Sequence, residues 1–166
     1  EIRNCDWSSD VCSSDLVCGV LYNHESPRRS ERFVPRKISA AAARIKLGLQ
    51  DRLVLGDLDV RRDWGFAGDY VQAMWRMLQL PAPEDFVIGT GRTHTVRELA
   101  RLAFERVGLD ADRYIDVDPA LVRPAEKTQL VANPGKAARL LDWAPALNFS
   151  QLVHLLVDAD MARLQA

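Results

Sequence analysis

Short apolar runs alternate with amphipathic segments from Val17 onward, and this alternation constrains the fold more than any other feature of the chain. Four runs have the length and composition of strands: residues 17–22, 53–56, 85–89 and 114–117. Five segments carry apolar side chains at helical spacing: residues 33–47, 68–80, 95–108, 133–141 and 150–164. This alternation is typical of a parallel sheet with covered faces. The sequence therefore predicts an α/β fold, in which the shortest strands can belong to a separate small subdomain.

Capping residues and glycines mark the ends of the predicted helices. Thr95 and Glu98 match a capping box, in which each side chain accepts a backbone N–H at the start of the helix. Gly48 and Gly108 are placed to end their helices in the left-handed conformation. Two further caps are predicted, at Asn133 and Ser150.

Large side chains of the second predicted helix and the tryptophans are assigned to the core. On the helix of residues 68–80, the face predicted to be buried consists of Tyr70, Ala73, Met74, Met77 and Leu78. Three tryptophans are also predicted to be buried: Trp64, Trp75 and Trp143.

Residues 1–16 differ in character from the rest of the chain. They show neither helical nor strand periodicity, and they repeat Ser-Ser-Asp. The segment resembles the translation of a sequencing adapter, so we expect the biological sequence to begin near Val17. We therefore treat residues 1–16 as a non-native segment, exclude them from the fold analysis and treat residues 17–166 as the protein domain.

Composition and charge exclude several classes of function. Lysine and arginine number 22 against 23 aspartate and glutamate residues, and the net charge of −1 gives no general footprint for nucleic acid. No apolar run approaches the roughly 20 residues that span a bilayer, and no signal-peptide pattern is present. Cys5, Cys12 and Cys18 lack Cys-x-x-Cys spacing, so we predict no metal site. We expect a cytoplasmic protein that binds neither nucleic acid nor membrane.

A cationic segment follows the first predicted strand. Residues 23–29 (NHESPRR) combine amide, imidazole and guanidinium groups, and the chain adds Arg32, Arg36 and Lys37 shortly afterwards. Ligands of open α/β sheets bind at the carboxyl ends of strands, so this loop is a candidate phosphate site. A solvated basic turn is the alternative.

Two other arginines occupy similar positions. Arg62 follows a predicted strand and can grip a pyrophosphate while Asp63 holds the local backbone; a surface salt bridge is the alternative. Arg123 and Glu126 flank a turn fixed by Pro124, which gives the two side chains a defined separation. The chain contains neither a glycine-rich dinucleotide loop nor a Tyr-x-x-x-Lys pair, which indicates part of a larger enzyme.

Seven ordered motifs together resemble the C-terminal half of the GDP-mannose 4,6-dehydratase family. They are residues 23–29 (NHESPRR), 33–38 (FVPRKI), 55–59 (LGDLD), 62–65 (RDWG), 69–71 (DYV), 84–88 (EDFVI) and 123–126 (RPAE). The resemblance covers essentially all of residues 17–166. It implies the last strands of an NADP-binding Rossmann fold, interleaved with a smaller α/β subdomain that binds the sugar nucleotide.

The resemblance also implies an activity and a set of binding residues. The family converts GDP-mannose to GDP-4-keto-6-deoxymannose through an internal NADP hydride cycle with loss of water. Its catalytic residues have no counterparts from Val17 onward, so we expect this chain to be inactive alone. By resemblance, His24 and Arg29 contact NADP. The positions implied for the sugar nucleotide are Asn23, Lys37, Leu55, Gly56, Arg62, Arg123 and Glu126. Pro35 stands where the family has threonine, and the intact enzyme is implied to be a tetramer.

Two functional hypotheses from different classes remain open. In the first, the parent protein is this lyase and the chain is its C-terminal half. In the second, the chain is a non-catalytic module that binds sugar nucleotides or mediates oligomerisation. A related GDP-sugar reductase or epimerase is a third possibility, which the His24 to Arg29 motif disfavours.

Overall fold

The computed structural model describes residues 16–121 and 130–166. The strands are β1 (Gly19–Leu21), β2 (Asn23–Glu25), β3 (Leu53–Leu55), β4 (Arg61–Arg62), β5 (Trp64–Phe66), β6 (Phe86–Ile88), β7 (His94–Thr95) and β8 (Ile115–Val117). The α-helices are α1 (Val34–Lys46), α2 (Ala67–Met77), α3 (Val96–Arg106), α4 (Gly135–Leu141) and α5 (Phe149–Gln165). Two short 3₁₀ turns lie at Ala111–Arg113 and Pro119–Leu121.

The strands of the described region form four pairs. Three pairs are parallel, namely β1 with β6, β2 with β5 and β3 with β8, whereas β4 and β7 are antiparallel. Each parallel pair is joined through intervening helices, as parallel strands require. The predicted α/β class is therefore confirmed.

The core consists of two apolar clusters. In the larger cluster, α1, α3 and α5 pack against β3, with Ile38, Leu99, Phe104 and Leu156 almost fully buried. In the smaller cluster, α2 and α4 pack against β6 around Tyr70. No helix within the described residues is both long and apolar enough to cross a membrane.

The predicted core face of α2 is partly wrong. Tyr70, Ala73 and Met77 are buried as predicted, whereas Met74, Trp75 and Leu78 are exposed. The buried positions follow the i, i+3, i+7 spacing of one helix face; Met74 and Leu78 lie roughly a quarter turn from it, and Trp75 lies on nearly the opposite side. Hydrophobicity alone does not show which apolar face packs against the neighbouring strand. Trp64 and Trp143 are buried as predicted.

Several predicted helix ends are confirmed. Thr95 and Glu98 form the capping box of α3, and Gly48 and Gly108 both have φ of 71°. The predicted cap at Asn133 is wrong by one residue, because Pro134 is the N-cap of α4; Asn133 Oδ1 accepts the N–H of Gly135, the first helical residue, at 3.1 Å. Pro35 lies in the first turn of α1, where a missing N–H costs no helical hydrogen bond.

The predicted cap of α5 is wrong. Asn148 caps the helix and forms a capping box with Gln151, whereas Ser150 lies inside the first turn. The Asn148 side chain accepts a hydrogen bond from Gln151 N at 2.9 Å, and the Gln151 side chain accepts one from Asn148 N at 2.9 Å. The sequence contains this amide-based box, but the prediction rests on the hydroxyl of Ser150 instead.

We expect Asn148→Ala to lower the free energy of unfolding by about 1 kcal/mol, because one backbone N–H loses its side-chain acceptor. Urea denaturation followed by circular dichroism measures the change. Ser150→Ala is the matched control and should change stability by less than about 0.5 kcal/mol. An equal loss in both variants would contradict the assignment of Asn148 as the cap.

Candidate functional site

The first three residues of the cationic segment, predicted as part of a loop, form strand β2, and residues 26–33 form a compact loop between β2 and α1, which we call the Arg29 loop. Arg29 N donates to Ser26 O at 3.0 Å and Phe33 N to Ser30 O at 3.1 Å, so two successive turns fold the loop. Two arginines outside these turns hold its backbone. Arg36 Nε donates to Arg29 O, and Arg163 Nη2 donates to Pro27 O, each at 3.2 Å.

The Arg29 guanidinium is held on two sides. Its Cζ lies 3.5 Å from the ring centroid of Phe33, which is cation–π geometry, and its Nε lies 3.6 Å from Glu25 Oε2. Its Nε makes no hydrogen bond to any residue in the described ranges. A planar cation fixed in this way retains hydrogen-bond donors for a phosphate group.

His24 lies on β2, and its ring has a fixed orientation. Its Nδ1 is 2.9 Å from Tyr22 O, a carbonyl that can only accept, so the proton of the neutral ring is on Nδ1. The ring lies 5.2 Å from that of Tyr70, measured between centroids. His24 therefore lies in the middle of β2, whereas Arg29 lies in the loop that follows this strand.

Two of the predicted cations have different roles. Arg36 is 1% exposed and forms an ion pair with Asp160, so it is a structural group inside the protein. Lys37, on the next position of α1, is half-buried, and its Nζ donates to Val54 O at 2.6 Å. Lys37 therefore lies beside β3.

Leu55 and Gly56 stand at the carboxyl end of β3, close to Lys37. Leu55 is buried, whereas Gly56 is half-buried. A Cβ added at Gly56 would lie 2.7 Å from Leu121 O, so the backbone approach requires glycine at this position. The structure thus brings Lys37, Leu55 and Gly56 together.

Asn23 lies on β2, and Arg62 lies on β4, the strand that precedes β5 in the chain. Asn23 pairs with Trp64 in the parallel register of β2 and β5, and Arg62 is two residues before Trp64. Arg62 is half-buried, and its Nη1 donates to Arg61 O at 2.8 Å. Arg123 and Glu126, the remaining predicted positions, lie outside the described residues.

Asp63 holds the backbone beside Arg62, as predicted. Its Oδ1 accepts hydrogen bonds from Thr90 N at 2.9 Å and Thr90 Oγ1 at 2.6 Å. Its Oδ2 accepts from Gly91 N at 2.9 Å and from Ala132 N at 3.3 Å. One buried carboxylate therefore joins β5, the turn after β6 and the segment before α4.

Three buried groups behind the loop have no role assigned from the sequence, namely Glu25, Tyr70 and Asp160, although the burial of Tyr70 was predicted. Burial raises the pKa of Glu25 to about 7, against the opposing effect of Arg29 and Arg36. Burial also raises the pKa of Tyr70, with the charge of Asp63 adding to the effect. Glu25 is the single acid of residues 23–29, so the motif could have indicated it. No sequence pattern around Asp160 indicates its role.

Comparison with known proteins identifies the family. The family profile described as GDP-mannose 4,6 dehydratase matches residues 9–156. GDP-mannose 4,6 dehydratase 2 of Arabidopsis thaliana is 50% identical over 143 residues, covering 86% of this chain and 38% of that protein. The Homo sapiens GDP-mannose 4,6 dehydratase is 43% identical over 162 residues, covering 87% of this chain and 44% of that protein. The chain thus spans about two-fifths of the length of these relatives.

Solved structures share the fold. RMD from Pseudomonas aeruginosa, solved with NADPH, has a TM-score of 0.80 at 24% identity, over 90% of this chain and 48% of that one. UDP-glucose 4-epimerase from Thermus thermophilus, solved with NAD, has a TM-score of 0.69 at 27% identity, over 87% of this chain and 46% of that one. These likenesses confirm the predicted fold class, a part of an NAD(P)-binding Rossmann fold. From its motifs, its strand pairing and these matches, the chain belongs to the GDP-mannose 4,6 dehydratase family.

Proposed function

We propose that this chain supplies the sugar-nucleotide side of a GDP-mannose 4,6-dehydratase, a lyase that forms GDP-4-keto-6-deoxymannose. The observation that carries the proposal is the placement of Lys37 against the carboxyl end of β3, next to Leu55 and Gly56. These are three of the positions at which the family resemblance places the sugar nucleotide. They adjoin the Arg29 loop, because Phe33 O accepts the N–H of Lys37 at 2.9 Å.

Each proposed substrate contact has a chemical role. Lys37 supplies a cation and Arg62 a planar donor group for the diphosphate. The backbone at Leu55 and Gly56 lines the base, where a side chain on residue 56 would collide with Leu121 O. Asn23 contributes an amide near the sugar. Arg123 and Glu126 are assigned to the diphosphate and the ribose by resemblance alone.

The proposed cofactor is NADP, which fits the groups on β2 and in the loop after it. Arg29 is a half-buried cation whose Nε makes no hydrogen bond in the described region, and His24 on β2 has a fixed ring. Both suit the phosphates of a dinucleotide. When bound, NADP would supply the hydride-transfer chemistry between C4 and C6 of the hexose. This chain's residues contribute binding and orientation.

We expect binding without turnover from the chain as it stands. No Tyr-x-x-x-Lys pair and no glycine-rich dinucleotide loop occur in its 166 residues, so the groups that move protons and hold the pyrophosphate are not among them. In the intact enzyme we propose a homotetramer in the cytoplasm. A binding or oligomerisation module without chemistry is the competing function.

Isothermal titration calorimetry of the full chain with GDP-mannose tests the proposal. Lys37→Met should weaken GDP-mannose binding about tenfold, because a hydrogen bond to a charged group contributes about 1.5 kcal/mol. Lys46→Met removes an exposed lysine from the same helix and is the matched control. Equal affinities in all three proteins, or no binding by the wild type, would contradict the assigned substrate site.

A second measurement separates the two functional classes. Reduction at C6 produces a methyl group, so proton NMR detects the product of a complete reaction directly. The chain is mixed with the separately expressed N-terminal half of a family member, NADP and GDP-mannose. If the chain is part of a dehydratase, the mixture should produce the methyl signal. Binding that persists while no mixture yields the methyl signal would favour the non-catalytic module.

A further inference from the structure

A buried carboxyl group stands behind the Arg29 loop with one oxygen lacking a hydrogen bond. Glu25 is 2% exposed, and its Oε2 has no hydrogen-bond partner among the described residues. Arg29 Nε, which is also buried and makes no hydrogen bond, lies 3.6 Å away in an ion pair. Buried polar atoms are usually hydrogen-bonded, so an ion pair whose two facing atoms make no hydrogen bond calls for a functional explanation.

The groups around Glu25 explain why its carboxyl group is balanced between the ionised and the protonated form near neutral pH. Arg29 approaches from the loop and Arg36 from α1, and both favour the carboxylate. Tyr70 of α2 offers a buried hydroxyl without a partner in the described region, and His24 is adjacent on β2. Arg36 is already neutralised by Asp160. Glu25 therefore acts mainly on the positive charge of Arg29.

We propose that Glu25 is the positioning residue of the anion site at Arg29 and that its protonation is coupled to anion binding there. The ionised carboxylate draws Arg29 Nε inward and neutralises the guanidinium. The protonated carboxyl leaves the full positive charge on Arg29 for a phosphate or sulfate group. By reciprocity, an anion bound at Arg29 favours the protonated form of Glu25. This inference rests on the proposed anion site of the loop.

The direction of the pH dependence follows from the raised pKa of Glu25, which is about 7. Below this pH the carboxyl is neutral, and anion binding at Arg29 is strong. Above it the carboxylate competes with the anion for the same guanidinium, and binding weakens. The change should occur between about pH 6 and pH 8, far above the range in which an ordinary glutamate titrates.

Sulfate is the appropriate probe, because it does not change its charge in this pH range. NMR of the isotope-labelled full chain follows the Arg29 Nε–H signal during sulfate titrations at pH 5.5, 7.0 and 8.5. We expect the sulfate affinity of the wild type to fall roughly five- to tenfold from pH 5.5 to pH 8.5. Glu25→Gln should retain the tight binding at pH 8.5 and lose most of this dependence.

Two control variants identify the group that titrates. Glu31→Gln alters an exposed carboxylate that pairs with Arg44 and should keep the wild-type dependence. His24→Gln removes the neighbouring imidazole on β2 and is the second control. Persistence of the dependence in His24→Gln supports the role of Glu25. Its loss there, together with persistence in Glu25→Gln, would overturn the inference.

A direct titration keeps the inference testable if Glu25→Gln does not fold. Carbon NMR of the wild-type glutamate carboxyls should show one group titrating near pH 7, and sulfate should raise that pKa further. A pKa unmoved by bound sulfate would contradict the coupling alone. Absence of sulfate binding at every pH would instead contradict the anion site of the proposed function, and the inference with it.

Discussion

Replacing Asp160 with alanine is expected to lower the free energy of unfolding by about 3–5 kcal/mol, since the change leaves a buried arginine without its counter-ion. Asp160 is 2% exposed and pairs with Arg36, which is 1% exposed. Its Oδ2 also accepts a hydrogen bond from Ser39 Oγ at 2.7 Å. The carboxylate thus links α5 to the first turns of α1.

The same substitution should loosen the Arg29 loop. Asp160 Oδ1 lies 3.1 Å from Arg163 Nη1, so one carboxylate orients both arginines that hold loop carbonyls. We expect Asp160→Ala to weaken sulfate binding at Arg29 in addition to destabilising the fold. Arg163→Lys keeps the charge but not the planar geometry, and it should weaken sulfate binding with little change in stability.

Urea denaturation measures the loss of stability in Asp160→Ala. Asp158→Ala, which removes an exposed ion pair with Arg106 from the same helix, is the matched control and should cost at most about 1 kcal/mol. The double variant Asp160→Leu with Arg36→Met should recover much of the loss, because no buried charge then lacks a partner. Similar losses for Asp158 and Asp160 would refute this account of the buried pair.

The five helices and four of the eight described strands were predictable because their signals are local, whereas the short strands β2, β4, β5 and β7 were not predicted. Thr95 with Glu98 and the helix-ending Gly48 act within one turn, and both predictions are confirmed. The errors on α2 have a different cause. Met74 and Trp75 are as apolar as their buried neighbours, and only the packing of α2 against β6 and α4 decides which face is covered.

The residues of the candidate site also divide into those that the sequence could single out and those that only the folded structure shows. His24 and Arg29 are five residues apart in one motif, so the sequence alone could single them out together. Asp160 lies 124 residues from Arg36, and no local pattern marks it as the anchor of that arginine. The burial of Glu25 likewise depends on α1 and α2, which pack behind the loop only in the folded protein.

Asp63→Asn is expected to lower the free energy of unfolding by about 2–4 kcal/mol, although the side chain keeps its size. The carboxylate oxygens of Asp63 accept four hydrogen bonds, two at each oxygen. An amide replaces one oxygen with an N–H donor, which would face two donors and leave buried N–H groups unsatisfied.

The choice of amide orientation decides which segment is released. If the amide nitrogen replaces Oδ2, the N–H groups of Gly91 and Ala132 lose their acceptor, and the segment before α4 detaches from β5. If it replaces Oδ1, the turn at Thr90 opens instead. In both cases the neighbouring Arg62 loses its fixed backbone, so GDP-mannose affinity should fall together with stability.

Thermal or urea unfolding with calorimetric titration measures both effects of Asp63→Asn. Asp57→Asn is the matched control, because Asp57 is exposed and accepts one hydrogen bond, from Asp59 N, which an amide oxygen can replace. A loss in Asp63→Asn no greater than in this control would show that the four donors are satisfied elsewhere and that Asp63 does not hold these segments together.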